Sequence, residues 1–108
     1  MIWLPIKTTT PGNRRRHWRT EAKEAKEQRM AAYLGVLSCP VLPRFPVKVT
    51  LTRVGRRMDR HNLPGAMKHL IDGIADAYRV DDGDERWEFV FAQEPGKHPG
   101  VRVVIEAK

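Results

Sequence analysis

The residues best suited to chemistry lie in one acidic segment in the second half of the chain. Asp59 and His61 precede a predicted helix, and Asp81 and Asp82 follow it closely. Carboxylate oxygens are the ligands that Mg²⁺ prefers, and a metal held by them can activate water for attack on a phosphodiester. Lys68, on the helix, could stabilise the charge that develops on the phosphate. The segment therefore predicts metal-assisted chemistry on a phosphate-bearing substrate.

The same segment has a plainer interpretation. Neither Asp-x-His nor Asp-Asp is a specific motif, and acidic turns are common as solvated loops. Lys68 and Asp72 are four residues apart, so on a helix they could form a surface ion pair worth about 0.2–0.5 kcal/mol. Asp72 would then be a structural residue near the middle of the helix. Both interpretations stay open on these residues alone.

The net charge of +7 is unevenly distributed along the chain. Residues 1–57 carry 13 Lys and Arg against three Glu, a net +10, whereas residues 58–108 carry seven against ten acids, a net −3. A basic surface suits a polyanion such as nucleic acid, and an acidic one gathers cations. Solubility alone would also account for the charge. The candidate contacts to DNA phosphates are Arg14, Arg15, Arg16, Arg19, Arg56 and Arg57.

Hydrophobic periodicity predicts a single domain, residues 1–108, with elements in the order β-α-β-α-β-β. Strands are predicted at 2–6, 47–52, 87–91 and 101–106, and helices at 20–37 and 63–78. This is an α+β fold with a mixed sheet of about four strands and two packed helices. Helical spacing predicts a buried stripe on the first helix, formed by Met30, Tyr33, Leu34 and Leu37.

Two further residues have a predicted place. Asn62 is a candidate N-cap for the second helix. Trp18, inside the basic run, could stack on an unpaired base or serve as a core anchor.

The composition excludes several classes of protein. Cys39 is the only cysteine, which rules out an internal disulfide framework and suits a reducing compartment. No apolar run approaches the roughly 20 residues that a membrane-spanning helix needs. The first twelve residues are too polar for a secretory signal. A soluble, cytoplasmic protein without a membrane partner is predicted.

The acidic segment resembles the RusA-type Holliday junction resolvases, a family of small phage and bacterial endonucleases. The hallmark of that family is an Asp-x-Asp-Asn-Leu run that enters a lysine-bearing helix, followed by an Asp-Asp turn and a strand. The likeness spans most of the chain. The matching residues are Asp59-Arg60-His61-Asn62-Leu63, Lys68, Asp72-Gly73-Ile74 and Asp81-Asp82, with Leu4-Pro5 and Asn13 near the start.

The resemblance implies a RusA-like fold and a homodimer that cleaves branched DNA with Mg²⁺, or alternatively Mn²⁺. It implies that Asp59, the residue at position 61 and an aspartate of the turn, Asp82 or Asp81, bind the metal. Lys68 would then steady the scissile phosphate.

Two departures from the family pattern keep rival hypotheses open. His61 replaces the second aspartate of the motif, which removes a negative charge and suits Zn²⁺ or Mn²⁺ better than Mg²⁺. The gap between Asn62 and Lys68 is longer than is usual in the family. One rival is therefore a relative that binds DNA but has lost catalysis. Another is a small interaction module of phage origin without a nucleic-acid partner.

Overall fold

The structure is a computed structural model that describes residues 1–8 and 18–108, with the side chains of Trp18 and Arg19 outside that description. Its element order confirms the predicted α+β fold, β-α-β-α-β-β. A short 3₁₀ turn at Arg60–Asn62 leads directly into the second helix. The elements are β1 (Ile2–Leu4), α1 (Trp18–Leu37), β2 (Val47–Val54), α2 (Leu63–Tyr78), β3 (Trp87–Glu94) and β4 (Gly100–Ala107).

The four strands form one mixed sheet in the order β1-β4-β2-β3. β2 and β3 run parallel, whereas β4 is antiparallel to both β1 and β2. Two parallel neighbours need a crossover connection, and α2 provides it. The acidic residues of interest therefore lie just before and just after this crossover helix.

One hydrophobic core lies between the sheet and the two helices. In β2 every second residue, Val47, Val49 and Leu51, is fully buried, as the period of two in the sequence predicts. α2 contributes the apolar face that its sequence predicts, with Met67, Leu70 and Ile74 at its centre. Neither of the two described helices is both long and apolar enough to cross a membrane.

The predicted burial on α1 is wrong for three of its four residues. Met30, Leu34 and Leu37 are 50%, 55% and 50% exposed. The helix instead buries Ala32 and Val36, which are each 1% exposed. The largest apolar side chains of α1 thus face outward.

A close contact between the two helices explains this orientation. A Cβ atom placed on Gly73 of α2 would lie 2.2 Å from the carbonyl oxygen of Arg29 and 2.9 Å from Cβ of Ala32. Such an approach is possible only where both surfaces are small, so α1 presents its small residues to α2 and turns its larger ones away.

Candidate functional site

The predicted metal ligands lie beyond opposite ends of α2. Asp59 and His61 come before the helix, and Asp81 and Asp82 come after it. The 16 residues of α2 span about 24 Å at the usual rise per residue. Within the described residues, no group of three or more His, Cys, Asp or Glu side chains is arranged to hold a metal ion. The chain therefore does not bring the four predicted ligands into one cluster.

Asp59 has a structural task at the start of the helical segment. Its carboxylate Oδ1 accepts a hydrogen bond of 3.0 Å from the backbone N–H of His61, and its carbonyl oxygen accepts one of 2.9 Å from Asn62. Asp59 thus caps the 3₁₀ turn that precedes α2. The predicted cap, Asn62, makes no side-chain capping bond, because the helical segment begins one turn earlier than its apolar pattern indicates.

The loop that carries Asp59 is clamped by the side chain of Gln93 at the end of β3. Oε1 of Gln93 accepts from the Met58 N–H at 3.0 Å, and its Nε2 donates to the Met58 carbonyl at 2.9 Å. Both backbone groups of Met58 are therefore paired with one amide. Neither residue has a signal in the sequence, since nothing in the local pattern joins positions that are 35 apart.

Arg53 holds the same loop from β2. Its guanidinium donates to the hydroxyl of Thr8 at 3.0 Å and to the carbonyl of Thr8 at 3.3 Å. It also donates to the carbonyl of Arg56. The backbone between β2 and α2 is consequently fixed at two points.

At the other end of α2 the chain turns back along the helix. Arg79 adopts a left-handed conformation (φ 58°), and its N–H bonds to the carbonyls of Ala75 and Asp76. This ending returns the acidic turn to the side of the last helical turns. The result is a groove of about 350 Å³ lined by Arg29, Asp72, Ala75, Asp76, Arg79, Val80, Asp81 and Asp82.

The acidic turn is anchored to the core through Trp87. The indole Nε1 of this buried residue donates to the carbonyl of Asp81 at 2.9 Å. The Asp81 carboxylate in turn accepts from the N–H of Gly83 at 2.8 Å. Trp87 itself packs edge-on against Phe45 and Tyr78, with ring centroids 4.7 and 5.2 Å away.

The carboxyl groups of Asp81 and Asp82 shift each other's pKa in opposite directions. The pKa of Asp81 is lowered by the hydrogen bond from the Gly83 N–H and by a hydrogen bond with Asp82. The pKa of Asp82 is raised, first by that hydrogen bond with Asp81, then by desolvation and by the negative charge of Asp72. As the pH falls, Asp82 therefore takes up a proton before Asp81, because two adjacent carboxylates resist ionising together.

Asp72, Asp76 and Lys68 differ in their surroundings on α2. Asp76 accepts two hydrogen bonds from Arg29, at 2.6 and 2.9 Å, which lowers its pKa and links the two helices. Lys68 is exposed, and among the described ion pairs none joins it to Asp72. Asp72 instead lines the groove beside Asp82.

The predicted DNA-contacting arginines divide into two sets. Arg14, Arg15 and Arg16 lie outside the described residues, as does the side chain of Arg19. Arg56 and Arg57 are exposed on the clamped loop. His61 is also exposed there, away from the acidic groove.

No family model, curated protein or solved structure matches this chain. The likeness to RusA-type resolvases rests on the sequence motif alone.

Proposed function

We propose that the protein is a divalent-metal-dependent endonuclease that resolves Holliday junctions or other branched DNA. The observation that best supports this is the groove in which Asp72, Asp81 and Asp82 lie together. The negative charge of these neighbouring carboxyl groups would favour a bound cation. Mg²⁺ is commonly bound by one or two carboxylates, with water and substrate phosphates as its other ligands, so a carboxylate pair is sufficient once DNA is present.

Two basic residues near the groove have proposed roles in binding DNA, beside the cation itself. A bound divalent cation would polarise the scissile phosphate and activate a water molecule. Arg79, on the same groove, would neutralise a neighbouring phosphate, and Lys68, about one turn before Asp72, would contact the strand further along α2. The excess of basic residues in the first half of the chain would hold the DNA backbone.

A second candidate is a DNA-binding protein of the same type without hydrolytic activity. It is favoured by the distance of Asp59 and His61 from the acidic pair, because the motif that the chain resembles uses all of these positions for the metal. Asp59 also keeps a sufficient structural role as a cap.

The test is cleavage of a synthetic four-way junction in Mg²⁺ and in Mn²⁺. Asp82→Asn should abolish cleavage and leave junction binding intact, whereas Asp84→Asn, in the same turn but outside the pair, should cleave normally. Asp59→Asn keeps the capping oxygen and removes only the charge, so loss of cleavage in this variant would give Asp59 a role at the metal. Normal cleavage by Asp82→Asn would refute the proposed centre.

Binding separates the rival functions. A non-catalytic DNA-binding protein would bind junctions with an affinity that falls as salt rises, yet cleave none in either metal. Activity gained on His61→Asp would then identify the lost carboxylate. If no DNA binds at any salt concentration, the protein is an interaction module of another kind.

A homodimer is the second part of the proposal. The outward stripe of α1, Met30, Leu34 and Leu37, is about half exposed, and apolar clusters of this kind commonly mark a protein interface. Leu34→Glu should shift the protein from dimer to monomer in analytical ultracentrifugation, whereas Ala22→Glu, exposed on the same helix, should not. A reducing compartment such as the cytoplasm completes the proposal, because Cys39 is the only cysteine.

A further inference from the structure

A second, larger cavity lies at the opposite end of α2 from the acidic groove. It measures about 840 Å³, a volume in the range of small-molecule sites. Its walls come from the end of β3, the loop after β2 and the start of α2. They include Arg57, Arg60, Pro64, Phe91, Gln93 and Glu94.

The charge of this cleft is positive and uncompensated. Arg57 and Arg60 are both exposed, and neither forms an ion pair with a carboxylate in residues 1–8 or 18–108. The one acid in the walls, Glu94, is already paired with Arg102. The two guanidinium groups therefore remain available for an anion, and their planar forks suit a phosphate.

The rest of the lining is mainly apolar. Leu63, Pro64 and Phe91 supply a carbon-rich wall beside the two arginines. An aromatic ring next to basic groups is the combination with which proteins hold single-stranded nucleic acid, because a base packs on the ring while the phosphate meets the charge. An acidic peptide would use the arginines but would leave the apolar wall unmatched.

The cleft is held in shape before any ligand arrives. Gln93, which lines it, pairs with both backbone groups of Met58, and Arg53 holds the carbonyl of Arg56. Arg57 therefore projects from a segment fixed on both sides. A fixed wall reduces the free energy lost in ordering a site when it binds.

We propose that this cleft binds one unpaired nucleotide of single-stranded DNA, with its phosphate at Arg57 and Arg60 and its base against Phe91 and Pro64. The inference rests on the proposed function, since it names the part of a branched substrate that this end of α2 recognises. A strand held here and a scissile phosphate at the acidic groove would lie towards opposite ends of α2.

The test is fluorescence anisotropy of a labelled oligothymidine, with metal chelated so that no hydrolysis intervenes. Arg57→Ala and Arg60→Ala should each weaken binding about tenfold or more. Arg44→Ala removes the same charge from an exposed position before β2, at the opposite end of that strand, and should change affinity less than about threefold. Phe91→Leu should weaken binding of the oligothymidine about tenfold and leave duplex binding unchanged.

A second measurement avoids substitution at Phe91. Photo-crosslinking with an iodouracil-substituted oligonucleotide should label the peptide that contains residues 87–95. Labelling only elsewhere would overturn the inference, and so would equal losses for Arg57→Ala and Arg44→Ala. So would a result in which Arg57→Ala and Arg60→Ala weaken binding of a labelled acidic peptide but not of the oligonucleotide.

These outcomes are separate from those of the proposed nuclease. If junction cleavage depends on Asp82 but oligothymidine binding does not change in Arg57→Ala, the nuclease proposal is supported and the proposed nucleotide site is refuted. If oligothymidine binding depends on Arg57 but no junction is cleaved, the nucleotide site is supported and the nuclease proposal is refuted.

Discussion

The substitution Gly73→Ala tests the contact that sets the position of α2. The new Cβ would lie 2.2 Å from the Arg29 carbonyl oxygen and 2.9 Å from Cβ of Ala32, where ordinary contacts begin near 3.4 Å. The helices would have to separate by about 1 Å, because the obstructing oxygen is backbone and cannot rotate away. Overpacking of this kind costs about 3 kcal/mol, and the higher helix propensity of alanine returns about 1 kcal/mol.

The net expectation is a loss of about 2 kcal/mol in the free energy of unfolding, or roughly 10 °C in Tm. Gly35→Ala is the matched control on α1, because its Cβ would meet only the side-chain ends of Ile2 and Leu4, at 3.0 and 3.3 Å. Those methyl groups can shift, so this variant should stay within about 1 kcal/mol of the wild type. Thermal unfolding followed by circular dichroism measures both. Equal stability of the two variants would refute the role assigned to Gly73.

Three further predictions concern the loop, the pH dependence and the acidic pair. Gln93→Leu should leave the Met58 N–H unpaired and lower the free energy of unfolding by about 1–3 kcal/mol. Hydrogen exchange at that amide should become at least about tenfold faster. Unchanged exchange would contradict the clamp. Hydrogen bonds from Arg86 lower the pKa of Asp84 to about 2. The ionised carboxylate therefore stabilises the fold at any pH above the pKa of Asp84 in the unfolded chain, near 3.8, and this stabilisation is lost as the pH falls towards 2. Urea midpoints measured at pH 5 and pH 2.5 should therefore differ less in Asp84→Asn than in the wild type. In NMR titrations the Asp82 carboxyl should protonate at a higher pH than the Asp81 carboxyl, and Mg²⁺ should lower the pKa of Asp82. A titration that Mg²⁺ leaves unchanged would argue against a cation at these two residues.

The elements with strong periodicity were predictable from the sequence. The residues of α2 repeat their apolar positions so regularly that the prediction at 63–78 coincides with the helix at Leu63–Tyr78. The strands were located correctly but their ends were not: β2 continues to Val54 and β3 to Glu94, whereas β1 ends at Leu4 and was predicted to reach residue 6. Strand ends depend on pairing with neighbours, which a local pattern does not contain.

Burial on α1 was not predictable from apolarity. Its outward stripe has helical spacing just as a buried stripe would, and what decides between the two faces is the close approach of Gly73 to Arg29. That contact joins residues far apart in the chain. The face of α1 that carries small residues is therefore the buried one, although the larger side chains of the outward stripe are more hydrophobic.

The candidate site was predictable in its parts but not in its grouping. The acids of the turn at Asp81 and Asp82 do meet, and Asp72 joins them only because the left-handed residue Arg79 returns the chain along α2. Asp59 is drawn into a cap by a 3₁₀ turn that apolar periodicity does not reveal. The clamp by Gln93 depends on a hydrogen bond across the sheet edge and has no local signature.

The hydrogen bond from the Trp87 indole to the Asp81 carbonyl joins the acidic turn to an intrinsic fluorophore. Trp87 is 7% exposed, whereas Trp3 is 43% exposed, so emission from the two rings differs in wavelength and in access to a quencher. We expect a cation bound at Asp81 and Asp82 to change the fluorescence of Trp87, measured against the emission of Trp3 and Trp18.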